Sequence, residues 1–199
     1  MCGRYTLAGK PIDLEKHFRA KLKEDIIFDM ANIAPTMIVP VIYDDNKNEI
    51  LPAKWGMRPP WDRNPESKFK PLINLRDDSL MQKPFMRRML KKRCIILASG
   101  FYEWTGEKGH KQAHLITLTN DLFIGFAGLW QEEVRLNGEQ IRSCAIITTI
   151  PNKVVEKIHN RMPVIVPPHL YDDWLNGMSE TMFFRPYNPE NMKVVEAEL

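Results

Sequence analysis

Residues 94–150 decide the fold: CIILAS (94–99), GFYEW (100–104), AHLITLT (113–119), LFIGFAGLW (122–130) and SCAIITTI (143–150) follow one another. Each run is short and either continuously apolar or alternating, the pattern of strands that bury one or both faces. Turn signals separate them, Thr119-Asn120-Asp121 and Leu136-Asn137-Gly138 among them. Such runs at close spacing predict a mainly antiparallel sheet.

Upstream, MIVPVIY (37–43) and EILPAKW (49–55) also read as strands. Pro40 and Pro52 interrupt them, which favours an edge or a bend because proline cannot donate to a ladder. The stretch WGMRPPWDRNPESKFKP (55–71) is too polar and too broken by proline for regular structure. A helical pattern then runs through Leu80, Phe85, Met89 and Leu90, and an earlier one through Leu14, Phe18 and Leu22 behind Pro11 and Asp13. Downstream, PNKVVEKI (151–158) predicts a short helix, MPVIVP (162–167) a strand, and Leu170, Trp174 and Leu175 a last helix. Helices do not alternate with strands, and neither a repeat nor a long linker divides the chain. The expectation is one α+β domain over residues 1–199, with a mainly antiparallel, barrel-like β core flanked by short helices.

A chain of 199 residues can bury roughly 70% of its extended surface without a disulfide or metal staple. Hydrophobic residues at 44% and charged residues at 27% exclude disorder, collagen and coiled coil. No apolar run approaches the roughly 18 residues of a membrane span, and the N-terminus lacks the apolar stretch of a signal peptide. A soluble protein made and kept in the cytoplasm is expected. Cys2, Cys94 and Cys144 show no C-x-x-C spacing, so reduced thiols are expected rather than a disulfide framework or zinc site. The net charge of +3 conceals an uneven distribution. Lys83, Arg87, Arg88, Lys91, Lys92 and Arg93 stand in KPFMRRMLKKR (83–93) with no acid; without them 22 basic residues face 25 acidic ones. That run is either a solvated helix face or the footprint of a polyanion.

Among the signatures of chemistry, G-x-G-x-x-G, the P-loop, H-E-x-x-H and G-x-S-x-G are all missing. Cys2 stands out instead. A small second residue lets an aminopeptidase remove Met1, and cysteine then presents a thiol and an α-amine on adjacent carbons. With reference pKa values of about 8.5 and about 7.7–8.0, both have usable nucleophilic fractions near neutrality. Such an aminothiol condenses with an aldehyde to an imine and then a five-membered thiazolidine. Amide hydrolysis, with the thiol as nucleophile and its own amine as base, is the other use of the pair. In PLINLRDD (71–78), Asn74 and Arg76 alternate along an extended segment and share a face. In ASGFYEWTG (98–106), Glu103 stands among Phe101, Tyr102 and Trp104, company that raises a carboxyl pKa. In IHNRMPV (158–164), His159 and Arg161 alternate ahead of a strand. Each is singly compatible with an ordinary surface or loop residue. Trp55 and Trp61 flank the proline-rich loop, where exposed indoles would stack on unpaired bases and buried ones would pack the core. Trp130 reads as core.

Together these strings resemble the SRAP (SOS-response-associated peptidase) family. Met-Cys-Gly-Arg at the start, the N-x-A-P turn of Asn32 to Pro35, W-G at Trp55 and N-x-R at Asn74 carry the likeness. G-F-Y-E-W around Glu103, G-L-W at Trp130 and H-x-R-M-P at His159 complete it in order. The resemblance implies a sensor of abasic sites in single-stranded DNA, joined covalently to the lesion by a thiazolidine on the mature N-terminal cysteine, within the SOS response to DNA damage. By the same resemblance Cys2 is the nucleophile, Asn74 holds the N-terminus and the sugar, and Glu103 shuttles protons. His159 assists ring opening. Arg4, Arg76 and Arg161 hold phosphates beside the lesion, while Pro35, Trp61 and Trp104 line the path of the bases. The implied partner is single-stranded DNA with abasic sites, and no membrane, metal or other cofactor is called for. The chain is expected to act as a monomer, at the nucleoid when bound to damage. AP-lyase-type cleavage and (auto)peptidase activity are the implied side reactions.

Leu75 stands where the family usually has alanine and is expected to shift the local backbone. Asp77 and Asp78 add negative charge beside a phosphate contact. The chain stops at Leu199, short of the family's usual final strand, so either a missing sheet edge or a truncated C-terminal end is expected. Two rival functions remain. A cysteine peptidase working through Cys2, or only removing its own Met1, gives no role to the basic run; a non-catalytic single-strand binding module gives none to Cys2 and Glu103.

Overall fold

The computed structural model describes residues 2–23, 30–59, 70–107, 109–134 and 138–199. In chain order the strands are β1 (Arg4–Leu7), β2 (Lys21–Leu22), β3 (Met30–Ile33), β4 (Ile38–Tyr43), β5 (Asn46–Trp55), β6 (Asn74–Arg76) and β7 (Arg93–Ala98). They continue as β8 (Gly100–Thr105), β9 (Gln112–Leu118), β10 (Ile124–Val134), β11 (Gln140–Thr149), β12 (Met162–Pro163), β13 (Ile165–Val166) and β14 (Met192–Ala197). The helices α1 (Pro11–Phe18), α2 (Asp77–Gln82), α3 (Pro84–Arg87) and α4 (Tyr171–Leu175) are short.

The apolar runs of residues 94–150 become β7 to β11, as their pattern predicts. Five strands close a ring in the order β5, β4, β7, β10 and β11. Antiparallel pairs make most of it, and a short parallel contact, Ser143 opposite Lys54 and Cys144 opposite Trp55, seals it. Closure removes the free edges that a strand-rich chain would otherwise expose. A second sheet, ordered β14-β9-β8-β1-β3, lies on the barrel. Edge-to-face aromatic pairs join the two: Tyr5 to Trp55 at 5.0 Å and to Phe126 at 5.8 Å, and Phe101 to Phe126 at 6.1 Å. Each fully buried large apolar side chain contributes about 1.5–3 kcal/mol, so this seam is a major source of stability.

Pro40 and Pro52 do not lie on outer edges; they face each other across the β4–β5 ladder. Pairing between β4 and β7 begins only at Val41, and β5 meets β2 at Glu49 and Ile50 and β11 at Lys54 and Trp55. Both prolines therefore fall in local gaps of the ring, where no ladder needs their missing N–H. Gly128, in the β10 run, allows a close approach: a Cβ there would lie 2.9 Å from Cys94 Sγ and 2.8 Å from Ile96 Cδ1.

Several predicted elements come out shorter. The first helix ends at Phe18 rather than running through Leu22, because Arg19 turns left-handed at φ 54°. Leu22 stays on an inward side only because β2 pairs in parallel with Ile50. The helical pattern through Leu80 to Leu90 breaks into α2, α3 and a 3₁₀ turn, Arg88–Lys91, since Pro84 forces Lys83 into an extended conformation. PNKVVEKI folds only as a 3₁₀ turn at Val155–Lys157, where Asn152 Oδ1 accepts from the N–H groups of Val154 and Val155. MPVIVP splits: β12 pairs with β11, β13 pairs with β10, and Val164 bridges both. A strand unforeseen in the sequence, β14, covers β9 at the sheet edge.

Arg93 closes the bottom of the fold. Its guanidinium is buried, pairs with Glu180 at 2.7 Å, donates to the carbonyls of Leu90, Trp174 and Met178, and lies 4.4 Å from the Trp174 ring centre. That takes it out of the basic surface that the sequence suggested. Trp55 and Trp130 are core residues, with indole N–H groups donating to Ile73 O and Asp44 Oδ1.

Candidate active site

Cys2 immediately precedes β1. Since Arg4 lies opposite Tyr102 in the β1–β8 pair, the residues before Arg4 run back along Glu103 and Trp104. β6 lies parallel to β11, with Asn74 opposite Ile146 and Arg76 opposite Thr148. On the other edge of the same strand end, β12 sets Pro163 opposite Thr148, and the Arg161 side chain crosses that end to Asp77, just after β6. Three strings far apart in sequence thus converge on the end of β11.

At this meeting point Asn74 Nδ2 donates to the Cys2 carbonyl at 2.8 Å. Asn74 Oδ1 is buried and has no hydrogen-bond partner among the described residues, an acceptor facing a place for a donor. The Cys2 thiol is fully buried and 3.8 Å from the Arg4 carbonyl. Burial pushes its pKa well up, and the charge of Glu103 adds to that rise against the opposing pull of the positive amino terminus. Glu103 is 2% exposed. Burial raises its pKa from 4.5 to about 7, with the same N-terminal charge opposing the rise. A carboxyl group poised at neutrality beside a buried thiol is equipped to pass protons in both directions.

His159 is half-buried, and burial together with the N-terminal charge lowers its pKa, so the ring stays neutral. Nδ1 lies 3.0 Å from the Arg161 backbone N–H and 3.1 Å from the Arg161 carbonyl, contacts that fix the ring's orientation. Arg161 itself does not project outward. Its side chain is 7% exposed, with Nη2 2.7 Å from Asp77 Oδ1 and donating also to the Thr148 carbonyl. In this geometry Arg161 staples the His159 segment to the start of α2, and a phosphate would have to displace Asp77 to reach it. Arg76 is exposed and forked onto Asp78, with contacts of 3.1 and 2.5 Å. Arg76 holds the Asp78 pKa down to about 2. Arg4 is half-buried and donates to Asn32 Oδ1 at 3.0 Å, which ties β1 to the turn that carries half-buried Pro35. Trp104 is half-buried beside Glu103. Trp61 lies outside the described residues.

The acids beside Arg76 therefore do more than add negative charge: one is the partner of Arg76 and the other of Arg161. Leu75 is buried opposite Ile147, and Thr148 Oγ1 approaches its carbonyl at 3.5 Å. Sequence reasoning missed Thr148 and Thr149, buried at the end of β11, the second with a hydroxyl that has no partner among the described residues. Two adjacent threonines ending an apolar strand were the available signal. Among the described residues no group of three or more His, Cys, Asp or Glu side chains is arranged to hold a metal ion. No helix among them is long and apolar enough to cross a membrane.

Known proteins resemble this chain in sequence and in fold. The family described as SOS response associated peptidase (SRAP) matches residues 1–198. The chain belongs to the SRAP family. It is 34% identical to the abasic site processing protein YoqW of Bacillus subtilis, over 98% of this chain and 92% of that protein. It is 26% identical to the abasic site processing protein YedK of Escherichia coli, over 88% and 79%. A crystal structure from Bordetella bronchiseptica covers the whole chain at a TM-score of 0.85 and 26% identity. One from Bacteroides thetaiotaomicron, at a TM-score of 0.88 and 24% identity over 99% of this chain and 92% of that one, shares the SRAP fold.

Proposed function

We propose that this SRAP chain, once Met1 is removed, senses abasic sites in single-stranded DNA and closes a thiazolidine on them through Cys2. It does so as one domain over residues 1–199, a monomer in the cytoplasm that follows damaged DNA to the nucleoid and serves the SOS response. The relatives are abasic site processing proteins, which supports the lesion as substrate. The observation that carries the chemistry is the buried Glu103 carboxyl, with its pKa of about 7, acting electrostatically on the Cys2 thiol.

The Cys2 amine attacks the aldehyde carbon of the ring-opened deoxyribose, Glu103 takes the ammonium proton and returns it to the departing hydroxyl, and water leaves an imine. The Cys2 sulfur then bonds to the imine carbon while the thiol proton passes to nitrogen. Asn74 holds the Cys2 carbonyl and offers Oδ1 to the amine or the sugar. His159, held neutral by burial, assists the opening of the sugar ring. If, before ring closure, the imine loses a C2′ proton to a base, a C2′–C3′ double bond forms as the 3′ phosphate departs with the C3′–O electron pair, which is AP-lyase-type cleavage. Arg4 and Arg76 take flanking phosphates, Pro35, Trp61 and Trp104 line the bases, and Arg161 positions His159. A general cysteine peptidase fits less well, because burial and Glu103 keep the Cys2 thiol protonated. Ring closure on an adjacent imine needs no free thiolate.

The test is to heat the protein with an abasic oligonucleotide in detergent. A surviving complex, weighing the sum of mature protein and DNA less one water, supports the reading; dissociation of every complex sinks it. Arg76→Gln should weaken binding of intact and abasic strands alike. It should also lower the logarithmic salt slope by about 0.7, one phosphate contact on a single strand. An unchanged slope removes Arg76 from the phosphate contacts.

A further inference from the structure

A cleft of about 860 Å³ opens beyond α2, between the α3 region and the α4 end of the fold. Met81, Leu90 and Leu175 give it apolar walls, and Arg87, Arg88 and Lys91 line it. Arg88 and Lys91 are three apart in a 3₁₀ turn and therefore lie on one face. Arg87, Arg88 and Lys91 are exposed and make no hydrogen bond or ion pair among the described residues. The cleft also holds Asp44 and Glu180, but both are already committed inward. Asp44 accepts from the Trp130 indole at 2.8 Å and from the Arg93 N–H at 3.0 Å, and Glu180 pairs with Arg93 at 2.7 Å. With Arg93 and Glu180 paired and Asp44 bonded only by neutral N–H groups, the lining keeps a surplus of two positive charges, presented by three exposed cations. Of the six cations of the basic run, Arg93 pins the core, Lys92 lies 4.4 Å from the Trp130 ring centre and pairs with Glu132, Lys83 is exposed away from the cleft lining, and the three on the cleft have no internal work.

We propose that this cleft is a second nucleic-acid contact, holding backbone phosphodiesters of the strand whose lesion the Cys2 pocket takes. The identity of the polyanion rests on the reading under Proposed function; the surplus charge does not. A strand suits it better than a small phosphate compound. A small ligand needs converging, fixed polar groups, and the one buried cation here is already saturated by protein. Long exposed side chains neutralise a repeating backbone without fixing one geometry. The geometry also allows one strand to reach both places. Asp77, the first residue of α2, pairs with Arg161 at the Cys2 pocket, and Met81 and Gln82 at its other end line the cleft. Six residues of helix rise about 9 Å.

The experiment compares wild type with the triple variant Arg87→Gln, Arg88→Gln, Lys91→Gln, and with a control triple at exposed lysines elsewhere, Lys10→Gln, Lys16→Gln, Lys193→Gln. Binding of a long intact single strand is measured against salt. The cleft variant should lose about 2 from the slope, three contacts at about 0.7 each, so its deficit shrinks about 16-fold between about 50 and about 200 mM salt. The control triple should keep the wild-type slope, and crosslinking at saturating protein should match wild type in both. Equal slopes in wild type and cleft variant overturn the proposal, as does an equal loss in the control. Binding of inorganic triphosphate to wild type but not to the cleft variant, with strand binding unaffected, replaces the strand by a small anion and overturns it too. If wild type never crosslinks abasic DNA, the function reading fails, while the salt slopes on intact DNA still decide the cleft.

Discussion

Replacing Cys2 with alanine is expected to abolish the heat-stable complex with an abasic oligonucleotide while leaving affinity for the intact strand nearly unchanged. Ring closure needs sulfur, and the contacts assigned to binding lie on Arg4, Arg76 and the basic cleft. The substitution removes only one buried sulfur, so the fold should lose on the order of 1 kcal/mol and remain native. Alanine is small enough for Met1 still to be removed, so its α-amine remains. A weaker imine, visible after borohydride trapping, is therefore expected from Cys2→Ala, and it separates the two bond-forming steps. A detergent-resistant adduct formed by the alanine variant without reductant would mean that sulfur is not the atom that seals the link. The same assay judges the peptidase alternative, in which the variant keeps Met1 and shows no imine at all.

The barrel was legible because its information is local. CIILAS and SCAIITTI are apolar along their length, as befits strands buried on both faces, and the turns between runs carry asparagine, aspartate and glycine. What failed was periodicity taken past a backbone break. Leu22 keeps the four-residue spacing of Leu14 and Phe18, yet a left-handed Arg19 stands between them. Pro84 does the same to the second helix. The edge strand β14 was illegible for another reason: three of its six residues are exposed, so its apolar pattern is diluted. The site is non-local throughout. Asn74 and Cys2 are 72 positions apart and meet through one hydrogen bond, which no spacing rule encodes. Arg161 illustrates the limit best. An arginine two residues from a histidine looks like a free cation, and only the fold reveals that Asp77 and Thr148 occupy it. The order of the family's motifs carried the juxtaposition that local chemistry could not.

Glu103→Gln should slow crosslinking by roughly 10²–10⁴-fold at saturating protein, the usual share of general acid–base catalysis. Imine formation moves one proton off the ammonium and another onto the leaving hydroxyl. Glutamine keeps the size and hydrogen-bonding capacity of Glu103 but exchanges no proton. Affinity for an abasic analogue without an aldehyde should barely change, which separates catalysis from binding. A second readout comes from stability. Burial raises the Glu103 pKa from 4.5 to about 7 in the folded state, so the native chain holds its proton more tightly than the unfolded chain does. The sign follows: this contribution is fully present below about pH 4.5 and is lost as pH rises through about 7. Glu103→Gln should remove that decline, so its advantage over wild type in denaturant unfolding should grow across this interval and level off above it. The wild-type rate should change over the same upper range, because both protonation states of Glu103 are used in turn. A glutamine variant that crosslinks at the wild-type rate while still flattening the stability profile would make Glu103 a buried structural acid. The proton shuttle would then have to be sought in His159 or solvent.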